Sequence, residues 1–218
     1  MHISRRRLLY GIAVNDASYA VTRMKSGRKQ TCPFYQTWIS MLTRCYSDKY
    51  HQRFPTYRGC YVCLEWHRFS RFREWMVHQE WIGMHLDKDI IGDGKCYSPD
   101  LCVFVSPRVN TFFHDGNQRR GDYPIGVRRR QNGRFEACVR AGGKNKCLGH
   151  FDSAEDAHLR WLQEKAKLAH ELASEQTNEK VANALLVYAA KLELRRQPDA
   201  VASATFGNFA RPNFAEAQ

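Results

Sequence analysis

The sequence predicts an α+β chain, helices and short strands in alternation, closing on a helix. Three observations predict it. Apolar residues recur at helical spacing in Phe34, Trp38, Leu42 and Cys45, and again in Phe69, Phe72 and Met76. Asn132-Gly133 and Gly142-Gly143 separate alternating runs, as tight antiparallel turns do. Ser153, with Asp156 three residues on, precedes an alanine-rich run and reads as a helix start.

Taken in order, residues 1–30 form a basic N-terminal hairpin turning at Ser26-Gly27. Residues 31–120 form a first domain. Pro33 suits the first turn of its opening helix, because the missing N–H costs nothing there. A loop runs to Pro55, and a second helical pattern fills Trp66 to Gln79, with Trp66, Phe69, Phe72 and Trp75 as core. A strand-like run, His85 to Ile91, meets the turn Gly92-Asp93-Gly94, and a second short strand surrounds Val103 to Val105. Pro107 opens a short helix holding Asn110, and residues 116–121 read as a linker.

Residues 121–173 form a second domain of three antiparallel strands and one helix. A separate helix at 174–196, apolar at Val181, Leu185, Tyr188 and Leu192, either packs back on the body or pairs with another copy through residues 178–195. Residues 197–218 are poor in large aliphatics, so a disordered tail is expected.

The net charge of +12 suits a polyanionic partner, either nucleic acid or an anionic membrane surface. It is spread unevenly: net +9 over residues 1–120, +3 over 121–173, and zero beyond. No run reaches the length of a membrane span. The apolar stretch after Arg5–Arg7 stops at Asn15-Asp16, which makes a poor export signal. A cytoplasmic chain is therefore expected, in the host cytoplasm if phage-encoded, with its eight cysteines as thiols or metal ligands.

Strand alternation sorts the residues of the second domain into two faces. Val127, Phe135, Ala137, Val139 and Leu148 form an apolar face for the helix to cover. Arg128, Arg130, Arg134, Glu136, Cys138 and Arg140, with Asn145, Cys147 and Gly149, form the other. The stretch GVRRRQNGRFEACVR…CLGHFDSAEDAHLRW, within Tyr123 to Ala173, resembles the ethylene-response-factor (APETALA-type) DNA-binding domain, which also occurs in phage and mobile-element endonucleases. That family lays its sheet in the major groove of double-stranded DNA. The resemblance implies DNA contacts from Arg128, Arg130, Arg134 and Arg140, with Asn132 and Lys144 beside them. Asn132 and Cys147 stand where the family has tryptophans, and Cys138 where it has a glutamate.

The stretch HLDKDIIGDGKCYSPDLCVFVSPRVN resembles the core of the HNH homing endonucleases, with YRGCYVCLEWHRFSRFREWM as its lead-in. The resemblance implies a ββα-metal fold that cleaves phosphodiesters with Mg²⁺ or Mn²⁺. Asp87 falls on the metal-binding acid, and Asn110 keeps its expected place near the end. Lys88 stands where the catalytic histidine belongs, and Leu101 where an asparagine does. His85, Asp87 and Asp89 would share one strand face, which allows a shifted site: Asp87, Asp89 and Asn110 on the metal, with His85, or less readily Lys88, handling the water. His114 could also approach. The bland alternative is that Asp87 and Asp89 flank a turn and pair with Lys88.

Cys60, Cys63, Cys96 and Cys102 could hold a structural Zn²⁺, with Cys45 competing for the fourth position. Equally, they could be core thiols. The combined reading is a sequence-specific, double-stranded DNA-binding protein of the HNH homing-endonuclease lineage. It either cleaves or, its nuclease decayed, acts as a repressor or regulator. An RNA-binding module would suit the charge but not a base-reading sheet.

Overall fold

A computed structural model describes residues 8–113 and 122–196. The tail from residue 197, the linker at 116–121 and His114 lie outside them. The chain forms two compact units, divided between Val105 and Ser106.

The first unit opens on a hairpin, β1 (Thr22–Lys25) and β2 (Arg28–Thr31). Ser26 and Gly27 both take positive φ, 51° and 73°, the two-residue turn whose twist matches the strands. Arg23, Lys25, Arg28 and Lys29 are all exposed on it.

Two helices form the core of this unit. Helix α1 (Pro33–Tyr46) buries Trp38, Met41, Leu42 and Cys45, and α3 (Phe69–Val77) buries Phe69, Phe72 and Met76. Trp66, in a 3₁₀ turn before α3, is fully buried, and Trp38 Nε1 donates to its carbonyl at 2.7 Å. Between them lies the short α2 (Asp48–Arg53), its first turn capped by Ser47. The basic residues along α3 are engaged. Arg68 pairs with Asp16 at 3.1 Å, Arg71 with Glu74 at 3.0 Å, and Arg73 lies over Tyr19 and Phe34.

Two small pairs of strands complete the unit. β3 (Tyr61–Val62) runs parallel to β5 (Cys96–Tyr97), and β4 (His85–Asp87) antiparallel to β6 (Val103–Val105).

Helix α4 (Pro107–Phe112) belongs to the second unit, not to the first domain the sequence suggested. Its packing explains why. The Phe112 ring meets Tyr188 edge-on at 5.8 Å, Arg108 pairs with Glu175 at 2.6 Å, and Lys165 donates to the Phe112 carbonyl.

The rest of this unit is the sheet β7 (Val127–Arg129), β8 (Phe135–Ala141), β9 (Lys144–Phe151), in that order and antiparallel. It is backed by α5 (Ala154–Ser174), with α6 (Glu179–Leu194) packed on α5. The sequence signals act as expected. Ser153 Oγ accepts from Asp156 N at 3.0 Å and donates to the Asp156 carboxylate at 2.7 Å. Asn178 caps α6. Gly142 and Gly143 turn β8 into β9.

The apolar stripe of α6 is spent inside the chain. Val181, Leu185, Ala189 and Leu192 are buried, and Leu192 shares a cluster with Val139, Trp161, Leu162 and Ala166. The stripe that would pair two copies through residues 178–195 is thus packed within the chain, while Leu186, Val187 and Leu194 stay exposed on α6. No helix among the described residues is long and apolar enough to cross a membrane.

A candidate nucleic-acid interface

Helix α5 settles which face of the sheet is free. It lies against β8, β9 and β7, over Ala137 and Val139. At Gly126 the backbone comes so close that an added Cβ would sit 2.0 Å from Trp161 Cδ1. His158 stacks on the same indole and bonds the Ile125 carbonyl through Nδ1 at 2.9 Å. Lys146, opposite Val139, points to this side and bonds Glu164 of α5 at 2.8 Å.

On the other face Arg128 stands opposite Glu136, and Arg140 opposite Asn145. Both arginines are exposed, and neither makes an ion pair among the described residues. Arg130 lies just past β7, where Gly133 N bonds its carbonyl at 3.0 Å and Gly133 takes φ 83°, closing a three-residue loop with a glycine bulge. Its Nη2 sits 2.6 Å from Glu136 Oε2. The contact is an ion pair without an aligned hydrogen bond, since Oε2 has no donor of proper geometry and is buried. Arg130 holds the Glu136 carboxyl below the usual carboxylate range.

Three other expected contacts are differently employed. Arg134 lies outside β8, with Nε 2.9 Å from Asp152 and Nη2 donating to the His150 carbonyl at 3.1 Å. Asn132 Oδ1 accepts from Arg134 N at 3.2 Å and shapes the loop. Lys144 pairs with Ala141 at the hairpin tip, so alternation puts it on the helix side of the sheet.

A bulge in β9 changes the outer face in a way simple alternation cannot show. Ala137 pairs with Gly149 but Cys138 with Cys147, so Leu148 is the extra residue. Gly149, at φ 133°, is the residue that tolerates the distortion. Beyond it the faces exchange. Gly149 leaves the outer set, and His150 enters it opposite Glu136. The ligand atoms of Glu136, Cys147 and His150 all lie within 4.8 Å of one another.

The first-unit residues are arranged as a turn. The Asp87 carboxylate accepts from Asp89 N and Ile90 N, each at 2.8 Å, which ends β4 at Asp87. Asp89 is therefore off the strand and does not share a face with His85 and Asp87. It pairs instead with Lys88 Nζ at 2.6 Å. Burial raises the Asp87 pKa.

Lys88 is buried over the rings of Tyr57 and Tyr97, and its Nζ also donates to the Gly94 carbonyl. Burial opposes its charge, but Asp89, with Cys60 and Tyr57, outweighs that and raises its pKa, which favours the ammonium. Asn110 stands on α4, in the other unit. Among the described residues, one group of three His, Cys, Asp or Glu side chains brings its ligand atoms within 4.8 Å, and it contains neither Asp87 nor Asp89.

Nor do Cys60, Cys63, Cys96 and Cys102 converge as a zinc set. Cys60, Cys96 and Cys102 are buried, and Cys60 Sγ leans on the Gly94 carbonyl at 3.8 Å. Burial pushes the thiols of Cys60, Cys63 and Cys102 up, and that of Cys45 to about 12. These are core thiols. All eight cysteines are free.

No family model, curated protein or solved structure matches the chain.

Proposed function

We propose that the chain binds double-stranded DNA through the outer face of β7–β9. The observation that supports this most directly is the charge of that face. It presents Arg128, Arg130 and Arg140 against one carboxylate, Glu136, which is buried and already neutralised by Arg130. A twisted sheet backed by a helix fits the major groove, and exposed arginines bind guanine edges and phosphates in bidentate fashion. The exposed hairpin cations Arg23, Lys25, Arg28 and Lys29, which make no ion pair among the described residues, add sequence-independent grip. The favoured role is occupation of a DNA site, as a repressor or regulator would, because Asp89 pairs with Lys88 and the one converging group of ligand-type side chains among the described residues contains neither Asp87 nor Asp89.

The nuclease reading keeps one supporting observation: on β4, His85 and Asp87 project to the same side, an imidazole beside a buried carboxylate. Asp87 and His85 would then carry Mg²⁺- or Mn²⁺-dependent cleavage.

One experiment separates the two roles. The full chain is used to select bound duplexes from a randomised library, and the selected DNA is footprinted with and without Mn²⁺. Protection without cutting, lost in Arg128→Ala/Arg140→Ala, is the expected result. Cuts that disappear in Asp87→Ala would establish the nuclease. Affinity that ignores both salt and the arginine pair would overturn the DNA reading.

A further inference from the structure

The Glu136–Cys147–His150 cluster serves neither reading of the sheet, and its chemistry is specific. It joins one thiol, one imidazole and one carboxylate, whose ligand atoms lie within 4.8 Å of one another. Mg²⁺ and Ca²⁺ prefer all-oxygen sites, whereas a mixed S, N, O set suits Zn²⁺. Zinc bonds of about 2.0–2.3 Å at tetrahedral angles put ligand atoms roughly 3.5 Å apart. Closing the set asks for a small contraction from the observed spacing.

The fold builds the cluster deliberately from two strands. Without the Leu148 bulge, His150 would point at α5. With it, His150 faces Glu136, the second residue pair beyond the bulge, and Cys147 faces Cys138, the pair just before it. Cys138 N bonds the Gly126 carbonyl of the β7 side at 2.8 Å, so Cys138 and Cys147 form a non-hydrogen-bonded pair on β9, the kind whose side chains lie closest. A fourth donor thus neighbours Cys147, outside the group of three.

Access and charge also fit. Cys147 and His150 are exposed, so a cation can enter, while Glu136 lies buried below them. Its Oε2 has no aligned hydrogen-bond donor. Arg130, at 2.6 Å, is the cation paired with it, and Arg128 stands opposite on β7. Arg130 is thus the resident competitor of any metal.

We propose that the outer face of the β7–β9 sheet is a zinc site, with Glu136, Cys147 and His150 as ligands and Cys138 at the fourth position. Binding releases the Cys147 and Cys138 thiol protons to solvent and turns Arg130 away from Glu136.

Cobalt(II) is the probe, added to the reduced, metal-free full chain. Thiolate coordination gives a charge-transfer band in the near ultraviolet and visible d–d bands of tetrahedral strength, both bleached by added Zn²⁺. Cys147→Ser and His150→Gln should each weaken binding by more than the roughly 10–100-fold that loss of an outer-shell partner costs. Cys60→Ser, in the other unit, should leave the bands intact. Arg130→Ala, which removes the competing cation and no ligand, should tighten binding. Thermal melts of each variant check that it folds. Absence of a charge-transfer band, or a band indifferent to Cys147→Ser and lost in Cys60→Ser, would overturn the site. Unchanged affinity in Arg130→Ala would overturn the competition.

Discussion

Lys146 Nζ and Glu164 Oε1 stand 2.8 Å apart, a β9 cation closing on a buried α5 carboxylate that Arg160 also approaches at 3.3 Å. The sheet is thereby pinned to its helix by charge as well as by Val139 and Trp161. The Lys146 hydrogen bond, and then Arg160, lower the Glu164 pKa from its usual 4.5. A depressed carboxylate stabilises the fold above the unfolded value, and that contribution fades as pH falls through the folded one. Glu136 has the same sign. Melting temperature should therefore fall as the pH drops below about 4.5, and Glu164→Gln should fall less steeply. Parallel curves for the two proteins would refute the assignment.

Gly126 is a sharper test of the sheet–helix contact. Its φ is 81°, and an added Cβ would lie 2.0 Å from Trp161 Cδ1. Overpacking costs about 1–3 kcal/mol, and the left-handed backbone of a non-glycine adds roughly 1 kcal/mol more. Gly126→Ala should lower stability by the sum of both in urea unfolding. Pairing it with Trp161→Leu should recover part of the loss, because the clash then has nothing to strike.

Lys88 is expected to matter for folding and not for chemistry. Its ammonium is buried between two tyrosines and bonds Asp89 and the Gly94 carbonyl. Lys88→Met leaves that carbonyl without its donor, which costs about 1–3 kcal/mol. Denaturant unfolding followed by tryptophan fluorescence reads it through Trp38 and Trp66, both in the core of that unit. Stability unchanged within error would mean the turn at 87–94 does not need its cation.

These sites also mark where sequence reasoning stops. Helix starts, hairpin turns and the apolar face of the sheet were legible because each is written locally, in Pro33, Ser26-Gly27, Gly142-Gly143, Ser153 and Asn178. Alternation placed Val139 and Arg140 correctly for the same reason. Leu148 packs on the apolar side as expected; alternation failed at Gly149, just past it, since a bulge is one extra residue whose presence depends on pairing across strands, not on its own run. His150 was hidden by that slip, although a glycine just before it inside a strand was the available signal. The reading of Asp89 as a strand residue failed because the Asp87 side chain, by capping two backbone amides, ends the strand early. The place of α4 was decided by Phe112, whose partner Tyr188 is 76 residues away.

Helix α6 yields a last prediction, about assembly. Its stripe was compatible with either self-association or packing at home, and the buried Leu185 points to the second. A fully buried leucine cut to alanine costs about 2–5 kcal/mol. If the stripe serves the chain's own core, Leu185→Ala loses that stability at every protein concentration, and the wild-type melting temperature is likewise independent of concentration. If the stripe held two copies together, melting would shift upward with concentration by mass action. Differential scanning calorimetry over a hundredfold concentration range distinguishes the two, and a concentration-dependent midpoint in the wild type would reinstate the dimer.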